Sequence, residues 1–163
     1  MSNSKLTKIA LLSSLCLIFG YIESLLPPLF LPGIKIGISN IVLIFAVYKL
    51  NKSSAFFIMV IKVLVSSLLF SGMNTFFYSL AGGIFSLVVM MLLKNRYFSV
   101  IGVSILGGVF HNIGQQLVAA LMLGKNALYY FPVLLIFGAV MGLLTGIVST
   151  SVLKHTKKAT DTE

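Results

Sequence analysis

The chain has 163 residues, of which 58% are hydrophobic and only 9% are charged. Soluble domains carry about 25% charged and about 45–50% apolar residues, so the composition excludes a water-soluble protein and a disordered one. The formal net charge is +9. In a soluble protein this charge would suggest a nucleic-acid partner, but here the positions of the charges favour a lipid bilayer and no nucleic acid.

The apolar runs predict an all-α integral membrane bundle of six transmembrane helices, because about 20 apolar residues cross a bilayer as a helix. In chain order the predicted spans are residues 6–26, 36–48, 55–70, 75–93, 98–123 and 128–153, a single domain over 1–153 that is followed by a polar tail over 154–163. The prolines of segment 27–33 cannot continue a helix. The second span, about 20 Å long if helical, therefore crosses only if this segment reaches into the membrane.

Basic residues indicate the orientation of the bundle. With the N terminus in the cytoplasm, the inner segments carry nine Lys and Arg residues and the outer segments carry two. Cytoplasmic segments of membrane proteins are enriched in these residues, which also meet anionic lipids there. The pattern predicts cytoplasmic N and C termini.

Small residues recur every four positions on three spans. The sixth span carries Gly138, Gly142 and Gly146, and the first carries Ala10 and Ser14. A longer stripe on the fifth span consists of Ser104, Gly108, Asn112, Gln116 and Ala120. Such stripes let helix backbones approach closely. They indicate either packing within the bundle or a docking face for another membrane subunit.

Lys62 is the most informative polar residue, because it lies in the middle of the third span. An unpaired cation at that depth costs between about 2.5 and more than 10 kcal/mol, so it needs a partner. Glu23 is the acidic residue that falls within a predicted span. Lys62 either pairs structurally with Glu23 or meets an anionic ligand, and the two interpretations are compatible.

A second polar group occupies residues 111–116 of the fifth span. His111 and Gln115 share one helix face, and Asn112 and Gln116 share the adjacent face. Four polar side chains in six residues make a poor lipid surface, so this wedge is expected to point into the bundle. Its side chains either form hydrogen bonds between helices or line a ligand site.

The predicted pocket opens to the outside and suits a small anion or an aromatic acid. Its candidate ligand-binding residues are Lys62, His111, Asn112, Gln115 and Gln116, with Glu23, Lys35 and Asn40 nearer its mouth.

Catalytic and cofactor motifs are missing from the sequence. It lacks a Gly-x-x-x-x-Gly-Lys-Ser/Thr phosphate loop, and its one aspartate, Asp161, cannot supply the acidic motifs that hold Mg²⁺ around a diphosphate. His and Cys residues are not at metal-ligand spacing. We therefore expect no catalysis by this chain alone, no metal and no resident cofactor.

Several segments together resemble a known family. They are residues 20–28 (GYIESLLPP), 32–41 (PGIKIGISNI), 79–83 (SLAGG) and 111–115 (HNIGQ). The chain resembles, over about residues 6–153, the bacterial Gx transporter family, also labelled heptaprenyl diphosphate synthase component I. The resemblance implies a multi-pass protein of the bacterial cytoplasmic membrane. Its fold would look like the six-helix substrate-binding subunits of energy-coupling-factor importers, which dock through small residues on the first helix, where Ala10 and Ser14 stand here.

Three hypotheses follow. The first is a substrate-binding or transport subunit for a small anionic solute, with a separate energising module or a gradient. The second is a non-catalytic component of a quinone or isoprenoid system, which would act in flavin-based extracellular electron transfer or beside a prenyl-transferase, with quinone or flavin as its cofactor. The third is a structural scaffold whose polar wedge only holds helices together.

Overall fold

The computed structural model describes residues 3–25, 37–94 and 98–160. These residues form six α-helices and no strand, which confirms the predicted all-α bundle. The helices are α1 (Asn3–Leu25), α2 (Ile38–Lys49), α3 (Lys52–Ser66), α4 (Met73–Leu93), α5 (Val100–Leu123) and α6 (Phe131–Thr160). A π-helical turn over Ser67–Ser71 extends α3, and a 3₁₀ turn over Lys125–Tyr130 precedes α6.

The distribution of side chains identifies a multi-pass membrane protein. Five of the described helices are long and apolar enough to cross a bilayer. Large apolar side chains face outward, as at Leu121, which is 85% exposed, whereas hydroxyl groups such as that of Ser149, at 0% exposure, are buried. Water would disfavour this arrangement, but lipid favours apolar side chains outside and polar groups between helices.

Helix α2 is the short element at the centre of the bundle. Its 12 residues span about 18 Å, less than the hydrocarbon thickness of about 30 Å. It packs against α1, α3, α4 and α6, and half of its residues are buried. The helix observed at the predicted second span is thus short and enclosed by its neighbours. Residue 36 and the proline-rich segment 27–33 lie outside the described residues.

Lys94 anchors the C-terminal end of α2. Its ammonium group donates hydrogen bonds to the carbonyl oxygens of Val47 at 2.6 Å and Tyr48 at 3.2 Å, and it lies 5.6 Å from the centre of the Tyr48 ring. Burial, and secondarily the positive charge of Lys52, lower the pKa of Lys94. The contact joins the ends of α2 and α4 on one side of the bundle.

Glycines bring α5 and α6 into backbone contact. A Cβ atom at Gly142 would lie 2.7 Å from the carbonyl oxygen of Ser104, and one at Gly108 would overlap the carbonyl oxygen of Gly138. A Cβ atom at Gly146 would lie 2.9 Å from the Cβ atom of Ser104. The stripe on α6 therefore packs against the stripe on α5, within the bundle.

Helix α6 differs from the predicted span at both ends. It begins at Phe131, after the 3₁₀ turn, with Pro132 in its first turn, where the missing N–H of proline costs no hydrogen bond. It continues to Thr160, so most of the predicted polar tail extends the helix.

Candidate functional site

Two adjoining cavities lie inside the bundle and meet at the start of α2, where Gly37 and Asn40 form part of the walls of both. The first, here called the lysine cavity, has a volume of ≈ 80 Å³, and Lys62 forms part of its wall. The second, here called the serine cavity, has a volume of ≈ 70 Å³ and lies among α2, α4, α5 and α6. The walls of both cavities include Gly37, Asn40, His111 and Gln115.

Lys62 and Glu23 both lie in the wall of the lysine cavity. The Lys62 ammonium group donates a hydrogen bond of 2.7 Å to the amide oxygen of Asn40. The carboxylate of Glu23 accepts a hydrogen bond from the backbone N–H of Gly37, just before α2. The sequence left open whether Lys62 pairs with Glu23 or meets an anionic ligand. It did not reveal Asn40 as a partner of Lys62, because the spacing does not show which face of α2 meets α3.

The start of α2 is shaped for these contacts. Gly37 has a φ of 80°, a left-handed conformation that is inexpensive for glycine. Its carbonyl oxygen accepts a hydrogen bond of 2.8 Å from the backbone N–H of Asn40. This first turn presents the Asn40 side chain to both cavities, while the N–H of Gly37 faces Glu23.

His111 and Gln115 share one face of α5 and form part of the walls of both cavities. Close packing against α4 fixes them there: a Cβ atom at Gly82 would lie 2.9 Å from His111 Cε1 and 2.9 Å from Gln115 Cγ. The Gln115 amide forms no hydrogen bond with the part of the chain that the structure describes. It is therefore available to a ligand or to water.

Asn112 and Gln116 have a different role from the other half of the wedge. The Asn112 amide donates a hydrogen bond of 2.6 Å to the carbonyl oxygen of Leu134 in α6. The Gln116 amide donates to the carbonyl oxygen of Ala127 in the 3₁₀ turn. Asn112 also forms part of the wall of the serine cavity, but both amides are engaged in holding α5 to the segment that follows it.

The serine cavity contains hydroxyl groups that the sequence did not single out as a site. Ser104 donates to the carbonyl oxygen of Gly142 at 2.7 Å and lies 3.1 Å from the Thr145 hydroxyl. Ser86 is 5% exposed, and its hydroxyl group forms no hydrogen bond with any described residue. The sequence does contain an indication of Ser86: it lies four residues after Gly82, and therefore on the same face of α4 as the glycine that packs against His111 and Gln115.

The remaining predicted residues lie elsewhere. Ala10 and Ser14 are on the exposed face of α1, where the Ser14 hydroxyl bonds to the carbonyl oxygen of Ala10 at 3.0 Å. Gly138 and Gly142 belong to the packing stripe and also border the serine cavity. Lys35 lies outside the described residues. Among the residues that the structure does describe, no three His, Cys, Asp or Glu side chains gather as a metal site would require.

Fold and cavities together define a multi-pass membrane bundle with a polar, partly charged interior. The family described as heptaprenyl diphosphate synthase component I matches residues 12–152, and the chain belongs to this family. The family resemblance seen in the sequence is thereby confirmed. No curated protein and no solved structure matches the chain.

Proposed function

We propose that the chain is a membrane substrate-binding or transport subunit for a small anionic solute. The position of Lys62 carries this proposal: it is a cation in the middle of an apolar helix, at the wall of a polar cavity. Ionisable residues inside a membrane are costly and mostly mark ligand or ion pathways. An anion in the lysine cavity would offset the cost of placing Lys62 there.

The neighbouring side chains complete the proposed site. Asn40 holds the Lys62 ammonium group in position, and the Gln115 amide and His111 ring supply further hydrogen-bonding groups. Glu23 lies in the same wall, and its carboxylate would repel an anionic ligand. Only an anion that comes close enough to Lys62 for attraction to outweigh this repulsion would bind. Lys35 is proposed to attract anions at the mouth of the pocket.

Orientation and partners belong to the same proposal. The positive-inside pattern favours cytoplasmic N and C termini, and with this orientation in the proposed bacterial membrane the cavities would open to the outside. Uptake would need a separate energising module or a gradient, since the chain has no phosphate-binding loop. The exposed face of α1 around Ala10 and Ser14 is the proposed docking face for such a module.

Native mass spectrometry of the protein, gently extracted from its own membranes, tests this function. We expect a bound small anion in the wild-type protein and in Lys49→Met, since Lys49 is exposed at the far end of α2 and lies in the wall of neither cavity. The Lys62→Met variant should lose the anion. Equal occupancy in Lys62→Met and wild type would contradict the proposal.

The family description favours a second candidate function. In this alternative the chain is a non-catalytic component of a quinone or isoprenoid system, beside a separate prenyl-transferase or within flavin-based extracellular electron transfer, and a quinone would bind against His111. Copurification then yields a stoichiometric enzyme or redox partner, and reconstituted vesicles take up no solute. Solute uptake without such a partner would contradict it.

A further inference from the structure

We propose that the lysine cavity and the serine cavity are two compartments of one site, which takes a two-part organic acid. The acidic group would lie beside Lys62, and an uncharged part with hydrogen-bonding groups would lie in the serine cavity. This inference rests on the proposed function and specifies its substrate class.

The residues that the walls of the two cavities share are the first observation in favour of a single site. Asn40, His111 and Gln115 border both cavities, so these three residues lie where the two cavities meet. The Gln115 amide has no hydrogen bond to the described residues that would hold it in place. Rotation of the Gln115 amide about its outer side-chain bonds, with Cγ still packed against Gly82, would open one cavity into the other without moving a helix, because side chains change rotamer far faster than helices move.

The serine cavity differs from the lysine cavity in its charge. No Asp, Glu, Lys or Arg among the described residues lies in its wall, whereas the lysine cavity has both Lys62 and Glu23. Its polar groups are hydroxyls and amides, and Met90, Phe137 and Met141 supply an apolar surface. This combination suits an uncharged, flat or aromatic body with hydroxyl or amide substituents.

Ser86 supplies independent evidence for a ligand group in the serine cavity. The residue is 95% buried, since its exposed fraction is 5%. Its hydroxyl group has no hydrogen-bond partner among the described residues, and Ser86 forms part of the cavity wall, where an occupant of the cavity can reach it. Ser104 and Thr145, on the opposite wall, satisfy each other. The missing partner of Ser86 is thus expected to come from the cavity's occupant.

Calorimetric titration of the purified protein in lipid nanodiscs tests this assignment. The probes are acetate, which has only the acidic group, benzoate, which adds an apolar ring, and 3- and 4-hydroxybenzoate, which add a hydroxyl group. We expect affinity to rise in that order, with at least one hydroxybenzoate bound most tightly. Ser86→Ala should weaken that hydroxybenzoate by about threefold to tenfold, the effect of one hydrogen bond, and leave benzoate unchanged.

Two variants separate this inference from the proposed function. Lys62→Met should lower the affinity for every acid by about tenfold or more, as expected for the loss of a charged hydrogen bond. If this variant does not fold, the double variant Glu23→Gln, Lys62→Met is measured in its place, because it removes both charges. Ser149→Ala is the matched control, because Ser149 is a buried serine without a hydrogen bond to the described residues that borders neither cavity. It should change no affinity.

The outcomes divide clearly. If all four acids bind equally well, or if the hydroxyl advantage survives Ser86→Ala, the two-compartment assignment is overturned while the proposed function stands. Tighter binding of acetate than of the ring acids would also overturn the assignment. If Lys62→Met binds every acid as tightly as the wild type does, the proposed function fails together with it.

Discussion

The ammonium nitrogen of Lys62 and the amide oxygen of Asn40 lie 2.7 Å apart, which ties the middle of α3 to the first turn of α2. An amide oxygen satisfies one donor of the ammonium group without neutralising its charge. The contact therefore positions a cation at the wall of the lysine cavity and holds the short helix α2 against its neighbour.

Replacing Asn40 by aspartate should separate anion binding from stability. Asn40→Asp places a carboxylate of nearly the same shape beside Lys62, so that an internal ion pair competes with an anionic ligand. We expect the anion affinity to fall by about tenfold or more, the effect of a lost charged hydrogen bond, with no loss in the unfolding midpoint in detergent. Asn51→Asp is the matched control, since Asn51 caps α3 and Asp caps as well as Asn. Unchanged affinity in Asn40→Asp would mean that anions bind elsewhere.

The α5–α6 interface should tolerate no side chain at Gly142. In Gly142→Ala, the new Cβ would lie 2.7 Å from the carbonyl oxygen of Ser104 and the Cα of Ile105, both backbone atoms that move only if the helices separate. We expect a loss of about 1–3 kcal/mol, as for overpacked cores, measured as the unfolding free energy in detergent. Gly20→Ala is the control: nothing lies within 4 Å of a Cβ there, so it should be neutral or stabilising by up to about 1 kcal/mol. Equal effects of the two substitutions would contradict this interface.

Spacing along one helix made part of the site predictable. The i, i+4 rule separated His111 and Gln115 from Asn112 and Gln116, and the structure keeps these pairs on different faces, one towards the cavities and the other towards α6 and the 3₁₀ turn before it. Contacts between helices were not predictable in this way. Asn40 meets Lys62, and Ser86 reaches the serine cavity, because of how α2 and α4 rotate in the bundle, which a single sequence does not encode in its spacing.

The extent of α2 and α6 illustrates a second limit. Hydropathy identifies apolar segments, but it does not distinguish a helix that faces lipid from one buried by other helices. Six apolar segments were therefore predicted as spans, and hydropathy did not reveal that half of the residues of α2 are buried by other helices. Polarity likewise suggested a tail after residue 153, yet α6 continues to Thr160, because helix formation does not require an apolar sequence.

Lys94 is expected to stabilise the C-terminal end of α2. Lys94→Met removes a cation from two otherwise unsatisfied helix carbonyls, and we expect a lower unfolding midpoint in detergent, whereas Lys49→Met, at an exposed lysine nearby, should have little effect. If the midpoint is the same in both variants, the contact adds no stability.

The stability contributed through Lys94 should also depend on pH. Burial and the charge of Lys52 lower its pKa from the ordinary value of 10.5, so the unfolded chain holds this proton up to a higher pH than the folded chain does. The resulting cost to folding is fully present below the lowered pKa and disappears as the pH rises to the ordinary value. The Lys94-dependent part of the stability, the wild type minus Lys94→Met, should therefore increase as the pH rises from the lowered pKa of Lys94 towards the ordinary value of 10.5. In Lys52→Gln, which lacks the like charge, that increase should be smaller, and an increase of the same size would show that Lys52 has no influence.

Gln115 and Asn112 should give opposite results when each is replaced by alanine. Asn112→Ala loses the 2.6 Å hydrogen bond to Leu134, so the unfolding free energy should fall by about 0.6–1.7 kcal/mol, the range measured for hydrogen bonds between membrane helices. Gln115→Ala breaks no hydrogen bond with the described residues and should change stability by less than about 0.5 kcal/mol. Its effect should instead be on binding, with the anion affinity reduced by about twofold to tenfold. Parallel measurement of unfolding and of binding in the two variants checks the division of the polar wedge into a binding face and a structural face. Equal stability losses, with binding unaffected by Gln115→Ala, would mean that all of the wedge serves only to hold the helices together.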